Sequence, residues 1–324
     1  MRRAGKPVRP FDLGRVRTAP LRGRRSLVSV AGFGRPARPG ARLDAFLDGM
    51  PRFLGMENLR ALAAAVGRSR RRGRGVVAAL GGHVVKTGCS PYLRDLMDRG
   101  VVTALAMAGS TAIHDLEIAL VGETSEDVAE GLQEGEYGMS DETGRWFAAA
   151  AADGAARGVG LGRALGEALL RKRVPHRRHS LLAAAARLGI PATVHVAVGT
   201  DVVHMHPAAR GADLGEATFT DFRIACSVVA GLSGGVWLNL GSAVVLPEVF
   251  LKAVTVARNT GHPVADLTTG SFDMLRMYRP ETNVVRRPPK RGYSVLGHHE
   301  VLIPLLHALV LREVGRDRGK VGTR

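Results

Sequence analysis

Short apolar runs that end in small residues and lead into helical patterns recur along this chain, and this alternation limits the folds open to it. The run Val101–Ala108 is continuously apolar, and Gly109-Ser110-Thr111 and a helical pattern over 113–121 follow it. A strand that is apolar throughout is typical of a parallel sheet covered on both faces. The sequence therefore predicts an α/β protein with a doubly wound, mostly parallel sheet.

The same rhythm predicts four more strands and places small polar residues where strands end. The predicted strands are 75–80, 101–108, 192–198, 236–240 and 263–267. The small-residue turns are Gly109-Ser110-Thr111, Gly199-Thr200-Asp201, Gly241-Ser242 and Thr268-Thr269-Gly270-Ser271. Ligands of such sheets bind beyond the carboxyl ends of the strands. Turns at these ends can place backbone amides and helix N-termini against phosphate groups, which favours a nucleotide-like ligand.

The chain divides into three parts by composition. Residues 1–40 are rich in Pro, Gly and Arg and are predicted to form an irregular basic arm. Helical patterns at 41–50 and 56–66 predict a helical N-terminal extension to a single α/β domain that spans 41–312. A loop is expected over 279–293, a last helix over 298–312, and a basic tail over 313–324.

The charge of the chain is strongly positive, with 46 basic residues against 29 acidic ones and a formal net charge of +17. The excess lies in the arm and in two short arginine-rich clusters, Arg68–Arg74 and Arg171–Arg178, which we interpret as solvated surface. Aromatic residues make up only 5% of the chain, so stacking platforms for single strands are not evident and a nucleic-acid partner is not expected. A basic nucleic-acid-binding protein stays an alternative hypothesis.

Two further features bear on where the protein works. The uncharged stretch 224–247 is interrupted by Ser233-Gly234-Gly235 and Gly241-Ser242, so no membrane segment is expected there. Two cysteines, Cys89 and Cys226, make no disulfide framework and suit a reducing compartment, which predicts a cytoplasmic protein.

Several histidines and acids are candidates for chemistry. His204 and His206, with His195 on the preceding strand, keep a metal-dependent hydrolase open, although hydrogen-bonded side chains near a cleft explain them as well and no metal is predicted. His114 opens a helix and is a candidate acid or base. Glu248 lies in the first turn of a helix, where the dipole alone favours an acid. His298 and His299 are explained by capping of the last helix.

Three stretches together resemble a known family. The runs GGHVVKTGCSPYLRDLMDRGVVTALAMAGSTAIHDLEIAL (81–120), GLSGGVWLNLGSAVVLPEVFLKAVTVARN (231–259) and TTGSFD (268–273) are similar to the deoxyhypusine synthase family. The likeness is strongest to its divergent bacterial deoxyhypusine-synthase-like branch, and it covers the chain from about residue 10 to 312.

The resemblance implies a Rossmann-like NAD site and a specific reaction. Members of the family oxidise spermidine with NAD, form an aminobutyl imine on an enzyme lysine and pass the group to a lysine of a translation factor. They are usually tetramers with sites at a dimer interface. We therefore expect an NAD-dependent aminobutyl transferase that takes a polyamine, with transfer to a small amine, as in homospermidine formation, as an alternative.

The resemblance also assigns residues. Those assigned to NAD are His83, Lys86, Gly109, Ser110, Thr111, Asp115, Gly241, Ser242, Thr269 and Gly270. Those assigned to the polyamine are Asp201, Glu248 and Asp273, and those assigned to catalysis are His114, His206, Glu248 and Lys290. His114 and His206 replace family acids, and Glu248 replaces a family histidine. The Trp-Gly-Lys of the family is absent, and Lys290 is the only lysine between 253 and 319.

Overall fold

A computed structural model describes residues 8–315 and contains a six-stranded sheet. The strands are β1 (Val76–Leu80), β2 (Ala104–Ala108), β3 (Ala192–His195), β4 (Val236–Leu240), β5 (Thr268–Asp273) and β6 (Arg291–Leu296). All pair in parallel, in the order β3-β2-β1-β4-β5-β6. The predicted doubly wound parallel sheet is confirmed, and the strand order reverses between β1 and β4.

Helices cover both faces of this sheet. Within the described residues they are α1 (Leu43–Gly49), α2 (Leu54–Arg71), α3 (Gly82–Lys86), α4 (Ser90–Asp98), α5 (Gly109–Val121), α6 (Val128–Glu134), α7 (Asp141–Arg157), α8 (Leu161–Arg171), α9 (Leu181–Leu188), α10 (Gly211–Ala230), α11 (Val245–Asn259) and α12 (His299–Gly315).

The core lies on the two faces of the sheet. Along β1, Val76, Ala78 and Leu80 point into one hydrophobic cluster, whereas Val77 and Ala79 point into the other. This alternation follows from the two-residue period of a strand. Every residue of β1, β2, β3 and β4 is buried, which explains why β1 and β2 are continuous apolar runs and why β3 and β4 are mostly apolar.

Two predictions around the late strands are wrong. The strand expected at 263–267 lies at 268–273 instead, so the stretch interpreted as a turn is strand β5 itself. The loop expected over 279–293 contains a π-helical segment, Pro280–Arg286, and the start of β6. Strand β6 is an edge strand with half-exposed polar residues, and its pattern therefore lacks the apolar signal of a buried strand.

One helix start differs from expectation. The residues Gly109-Ser110-Thr111 are the first turn of α5 rather than a separate turn. Helix α4 begins at Ser90 and has a proline in its first turn. Helix α6 is capped by Asp127, whose carboxylate accepts hydrogen bonds from the amides of Ala129 and Glu130.

The two ends of the chain are described only in part. Residues 8–40 are exposed except for half-buried Gly32 and are irregular apart from two short 3₁₀ turns, as expected for an arm. Of the predicted tail, 313–315 belong to α12, and 316–324 lie outside the described residues, as do 1–7. The arginines of the two internal clusters are exposed. Among residues 8–315 no helix combines the length and apolarity needed to cross a bilayer.

Candidate functional site

The crevice where the strand order reverses is built from glycines at the ends of β1 and β4. Gly81 follows β1, and a Cβ there would lie 2.0 Å from the carbonyl oxygen of Gly241. Gly241 follows β4 with φ at +69°, a conformation that favours glycine. The Ser242 hydroxyl accepts a hydrogen bond from the amide of Leu246 in the first turn of α11. This reversal point is where open α/β sheets bind their ligands.

His299 borders this crevice and was missed as a site residue. It is 1% exposed, and its Nε2 lies 2.6 Å from where a Cβ on Gly241 would be. Its ring centroid is 5.9 Å from that of exposed His83. Burial lowers its pKa, and its Nδ1 has no hydrogen-bond partner within residues 8–315. His298 and His299 are adjacent at the start of a helix, and the sequence does not indicate which of the two rings is buried.

A cavity of about 780 Å³ lies next to the crevice, along α5. Four of the predicted site residues line it: Lys86, Ser110, His114 and Asp201. Ser110 Oγ and the His114 ring also lie 3.1–3.5 Å from where a Cβ on Gly82 would be, so the cavity and the crevice share a wall. The volume is that of a small-molecule site.

The cavity is acidic. Its lining carboxylates are Glu117, Glu123, Glu126, Glu142 and Asp201. Lys86 is the one lysine among the lining residues, and no arginine is found there. An excess of carboxylates in a partly enclosed space attracts cations and disfavours phosphates.

Asp201 joins the cavity to the N-terminus of α5. It is 8% exposed, it accepts a hydrogen bond from the amide of Ala197 at 3.1 Å, and it also accepts one from the amide of Ser110. A Cβ on Gly109 would lie 2.2 Å from its carboxylate, so Gly109 makes room for it. Burial raises the pKa of Asp201.

Two residues assigned to the cofactor, Thr111 and Asp115, are instead buried in α5 and make hydrogen bonds within the protein. Asp115 is fully buried, and it accepts hydrogen bonds from the Ser180 hydroxyl and from the amides of Leu181 and Leu182 at the start of α9. Burial raises its pKa to about 6. The Thr111 hydroxyl donates to the carbonyl of Leu80 at 2.7 Å. Their contacts stabilise the ends of α9 and β1.

The β5 residues are divided between the sheet interior and its edge. Thr269 and Gly270 lie inside the strand, and the Thr269 hydroxyl donates to the carbonyl of Val284. The structure therefore does not place them at the ligand-binding edge, because β5 begins later than predicted. Asp273 ends the strand at that edge, and its charge acts on His299.

Glu248 is occupied by other charged side chains of the protein. It forms ion pairs with Lys252 and, at 3.3 Å, with Arg279, and it accepts a hydrogen bond from Asn283 at 2.8 Å. The hydrogen bond from Lys252 is the main cause that lowers its pKa. This carboxylate is already neutralised, which argues against the predicted contact with an ammonium group.

Lys290 lies at the wrong edge of the sheet for the role assigned to it. Its amide donates to the carbonyl of Leu267 before β5 begins, so it stands at the amino ends of the strands. Six strand residues, about 20 Å, separate it from the carboxyl edge. Its ammonium pairs with Asp266 at 2.5 Å. The structure therefore does not bring Lys290 together with the other predicted site residues of the same chain.

The three histidines of the metal hypothesis have separate partners. His195 is buried on β3 beside the Thr193 hydroxyl, and burial lowers its pKa to about 4. His204 accepts from the amide of Gly199, whereas His206 contacts Asp141 at 3.4 Å beside a different cavity. Within residues 8–315 no group of three metal-ligating side chains comes together.

Comparisons with known proteins show the fold. No protein-family model matches the chain, and no curated protein is significantly similar to it in sequence. A conserved protein described as LOR/SDH from Methanococcus maripaludis S2 superposes with a TM-score of 0.52 and 15% identity, over 80% of this chain and 70% of that one. A protein described as a deoxyhypusine synthase from Entamoeba histolytica gives 0.50 and 12%, over 86% and 96%.

AgrE without ligand is similar as well, with a TM-score of 0.50 and 13% identity over 80% of this chain. This chain spans only 32% of AgrE, and 31% of ArgZ, an arginine dihydrolase from cyanobacteria. At these identities the likeness is one of fold. The protein thus has a Rossmann-like α/β fold that it shares with the protein described as LOR/SDH, with AgrE and with a protein described as a deoxyhypusine synthase.

Proposed function

We propose that the protein is an NAD-dependent enzyme that acts on a polyamine, of the deoxyhypusine-synthase type. The observation that carries the proposal is the shared wall between a glycine-lined crevice at the β1–β4 reversal and an acidic cavity. A crevice at that point suits a dinucleotide, and a cavity rich in carboxylates suits a flexible polycation.

The residues at the crevice fit NAD. Glycines at 81 and 241 let the ends of β1 and β4 pack closely beside His299, and Gly82 leaves room for the His114 ring and the Ser110 hydroxyl at the wall of the crevice. The hydroxyl of Ser110 can bind a ribose hydroxyl, and Lys86, the one lysine among the lining residues, can face the pyrophosphate. His299 adds a buried Nδ1 without a partner in the described residues. NAD, when bound, supplies an acceptor for a hydride. The superposable protein AgrE has been solved with ornithine and NAD+.

The carboxylates of the cavity serve the other substrate. Charge-assisted hydrogen bonds from ammonium groups to Asp201 and Glu117 are stronger than neutral ones, so they position a primary amine near the crevice. The cavity also carries apolar side chains, among them Trp146 and Val202, against which methylene groups can pack. A chain of methylenes between two or three ammonium groups matches this pattern.

The position of Lys290 favours a small amine as acceptor. The lysine expected to carry an imine pairs with Asp266 at the opposite edge of the sheet. Of the lysines in residues 8–315, only Lys86 lines the cavity. We therefore infer that the aminobutyl group passes to an amine bound in the same cavity, as homospermidine formation requires.

The proposal is tested by incubating the full-length protein with NAD+ and either spermidine or putrescine. Formation of NADH is followed spectroscopically, and polyamine products are separated by chromatography. We expect a new polyamine product that depends on NAD+. Asp201→Asn removes one charge-assisted contact and should raise the KM for the polyamine at least tenfold.

Lys290→Ala is the matched control. Because Lys290 lies about 20 Å from the carboxyl edge of the sheet, the variant should keep the turnover of the wild type. Loss of turnover in Lys290→Ala would contradict transfer to a small amine within this site. No NAD-dependent product with either polyamine would contradict the proposed function as a whole.

A further inference from the structure

A hydrogen-bonded chain of three side chains connects the wall of the cavity to the crevice. His114 Nδ1 lies 2.8 Å from Thr124 Oγ1, and the Thr124 hydroxyl makes a short hydrogen bond to Glu117 Oε2. The other oxygen of Glu117 accepts from Thr143 at 3.1 Å. His114, Glu117 and Thr124 all line the cavity, and the first two side chains are only 18% and 21% exposed.

The direction of these hydrogen bonds follows from the charge of Glu117. Burial raises the pKa of Glu117, but the neighbouring His114 together with hydrogen bonds from Thr124 and Thr143 outweighs it and leaves the pKa below its usual value. Glu117 is therefore ionised and can only accept. The single hydroxyl proton of Thr124 goes to Glu117, so Thr124 Oγ1 must accept from His114.

This arrangement leaves one ring nitrogen available for proton transfer. Because Nδ1 carries the proton that Thr124 accepts, the lone pair of neutral His114 is on Nε2. The Cδ2–Nε2 edge of the ring faces Gly82: a Cβ there would lie 3.1 Å from Cδ2 and 3.5 Å from Nε2. A side chain at position 82 would close this approach, whereas glycine keeps the Nε2 edge open toward the end of β1.

The geometry points to His114 as the general base of the site, with Thr124 and Glu117 as the residues that position it. The inference rests on the proposed function for the identity of the substrate, an ammonium group held in the acidic cavity. Its N–H bond breaks, the electron pair stays on the substrate nitrogen, and the proton is bound by His114 Nε2. The imidazolium that forms keeps its Nδ1–H on Thr124 and has Glu117 Oε2 at 3.8 Å to balance its charge.

The test reads the ring tautomer directly and needs no turnover. Full-length protein labelled with ¹⁵N-histidine is measured by long-range ¹H–¹⁵N correlation, and His114 is assigned by its absence in His114→Gln. We expect the Nδ1–H tautomer in the wild type. Thr124→Val removes the acceptor and should release the ring to a mixture of tautomers, and Thr124→Ser should restore the Nδ1–H form.

Thr143→Val is the matched control, because it removes a hydrogen bond to the same carboxylate without touching His114. It should keep the Nδ1–H tautomer. An Nε2–H tautomer in the wild type, or an unchanged tautomer in Thr124→Val, would overturn the relay even if the protein turns over polyamines.

Steady-state kinetics of the same variants provide a second, independent test of the role of His114. General-base catalysis contributes about 10²–10⁴-fold, so His114→Gln should lower kcat by at least a hundredfold with a smaller effect on KM. Thr124→Val should lower kcat about tenfold, with rescue by Thr124→Ser. Wild-type turnover in His114→Gln would overturn the role of His114 as base. If the wild type shows the expected tautomer but does not turn over polyamines, the proposed function and the substrate named here are contradicted. The positioning of the His114 ring by Thr124 and Glu117 remains supported in that case.

Discussion

At the scale of single residues, two buried carboxylates each make the stability of the protein depend on pH. Asp221 on α10 accepts hydrogen bonds from the amides of Gly162 at 2.9 Å and Val194 at 2.8 Å. Burial raises its pKa to about 7, and burial raises that of Asp115 to about 6. Each carboxylate ties the start of a helix to the core, so its function in the fold is structural.

These raised pKa values predict that stability falls as pH rises. The unfolded chain loses the Asp221 proton near pH 4, whereas the folded protein holds it until about pH 7. Between these values the folded state binds more protons, so the free energy of unfolding decreases with pH. His195 acts in the opposite direction between about pH 4 and 6.5, because its pKa is lowered to about 4.

The contribution of Asp221 is isolated by comparing Asp221→Asn with the wild type in urea unfolding at pH 5 and pH 8. Each unit of pKa difference corresponds to roughly 1.4 kcal/mol. The free energy of unfolding of the variant should therefore fall between pH 5 and pH 8 by about a few kcal/mol less than that of the wild type. The same decline in both proteins would contradict this account of Asp221.

The residue scale is also where prediction of the site was least complete. Ser110, His114 and Asp201 were predicted and meet at the cavity, because all three stand near strand ends whose positions the apolar pattern gives. Asp115 was assigned to the cofactor, but its neighbours at the start of α9 are 65 or more positions away in sequence. No local pattern reports such a contact. The same holds for His299.

At the scale of elements, close contacts of glycine fix how helices sit on the sheet. Gly162 on α8 stands against β3, and a Cβ there would lie 2.2 Å from the carbonyl oxygen of Ala192. The obstacle is backbone, which cannot rotate away. Asp221 accepts from the amide of the same Gly162, so the position of α8 is set from two sides.

Gly162→Ala should therefore destabilise the protein by about 1–3 kcal/mol, because α8 must move away from β3. Gly215→Ala is the control: it lies in helix α10 with open space around it, and it should raise stability by up to about 1 kcal/mol. Chemical denaturation of both variants measures the difference. Equal effects of the two substitutions would mean that the contact at Gly162 does not determine the packing of α8.

Elements differ in how well the sequence predicts them, and the late strands show why. The bounds predicted for β4 match those observed, because the strand is mostly apolar and a glycine follows it. β5 reads as a turn because of its small residues, yet Gly270 is required inside it, where a Cβ would lie 2.7 Å from the Leu62 side chain. In β6 a Cβ on Gly292 would lie 1.8 Å from the carbonyl of Val285. Glycine is required at both positions by contacts with residues of other elements, and the local sequence pattern does not report such contacts.

At the scale of the whole molecule, charge is separated. The arginines that give the chain its net charge of +17 lie in the arm, which is exposed over residues 8–40 apart from half-buried Gly32, and in the two exposed clusters. The cavity at the carboxyl edge of the sheet has carboxylates in excess. Net charge alone suggests a polyanionic partner, whereas the cavity favours a small cation. The local field at the site, rather than the sum over the chain, decides what binds there.

Binding of a dinucleotide at the reversal between β1 and β4 underlies the proposed function, and calorimetric titration of the full-length protein with NAD+ measures it. We expect saturable binding of NAD+ that is retained in Lys290→Ala and lost in Gly82→Val, whose side chain fills the crevice next to His114. Circular dichroism verifies that both variants are folded. Absence of NAD+ binding by the wild type, or equally strong binding by Gly82→Val, would contradict the account.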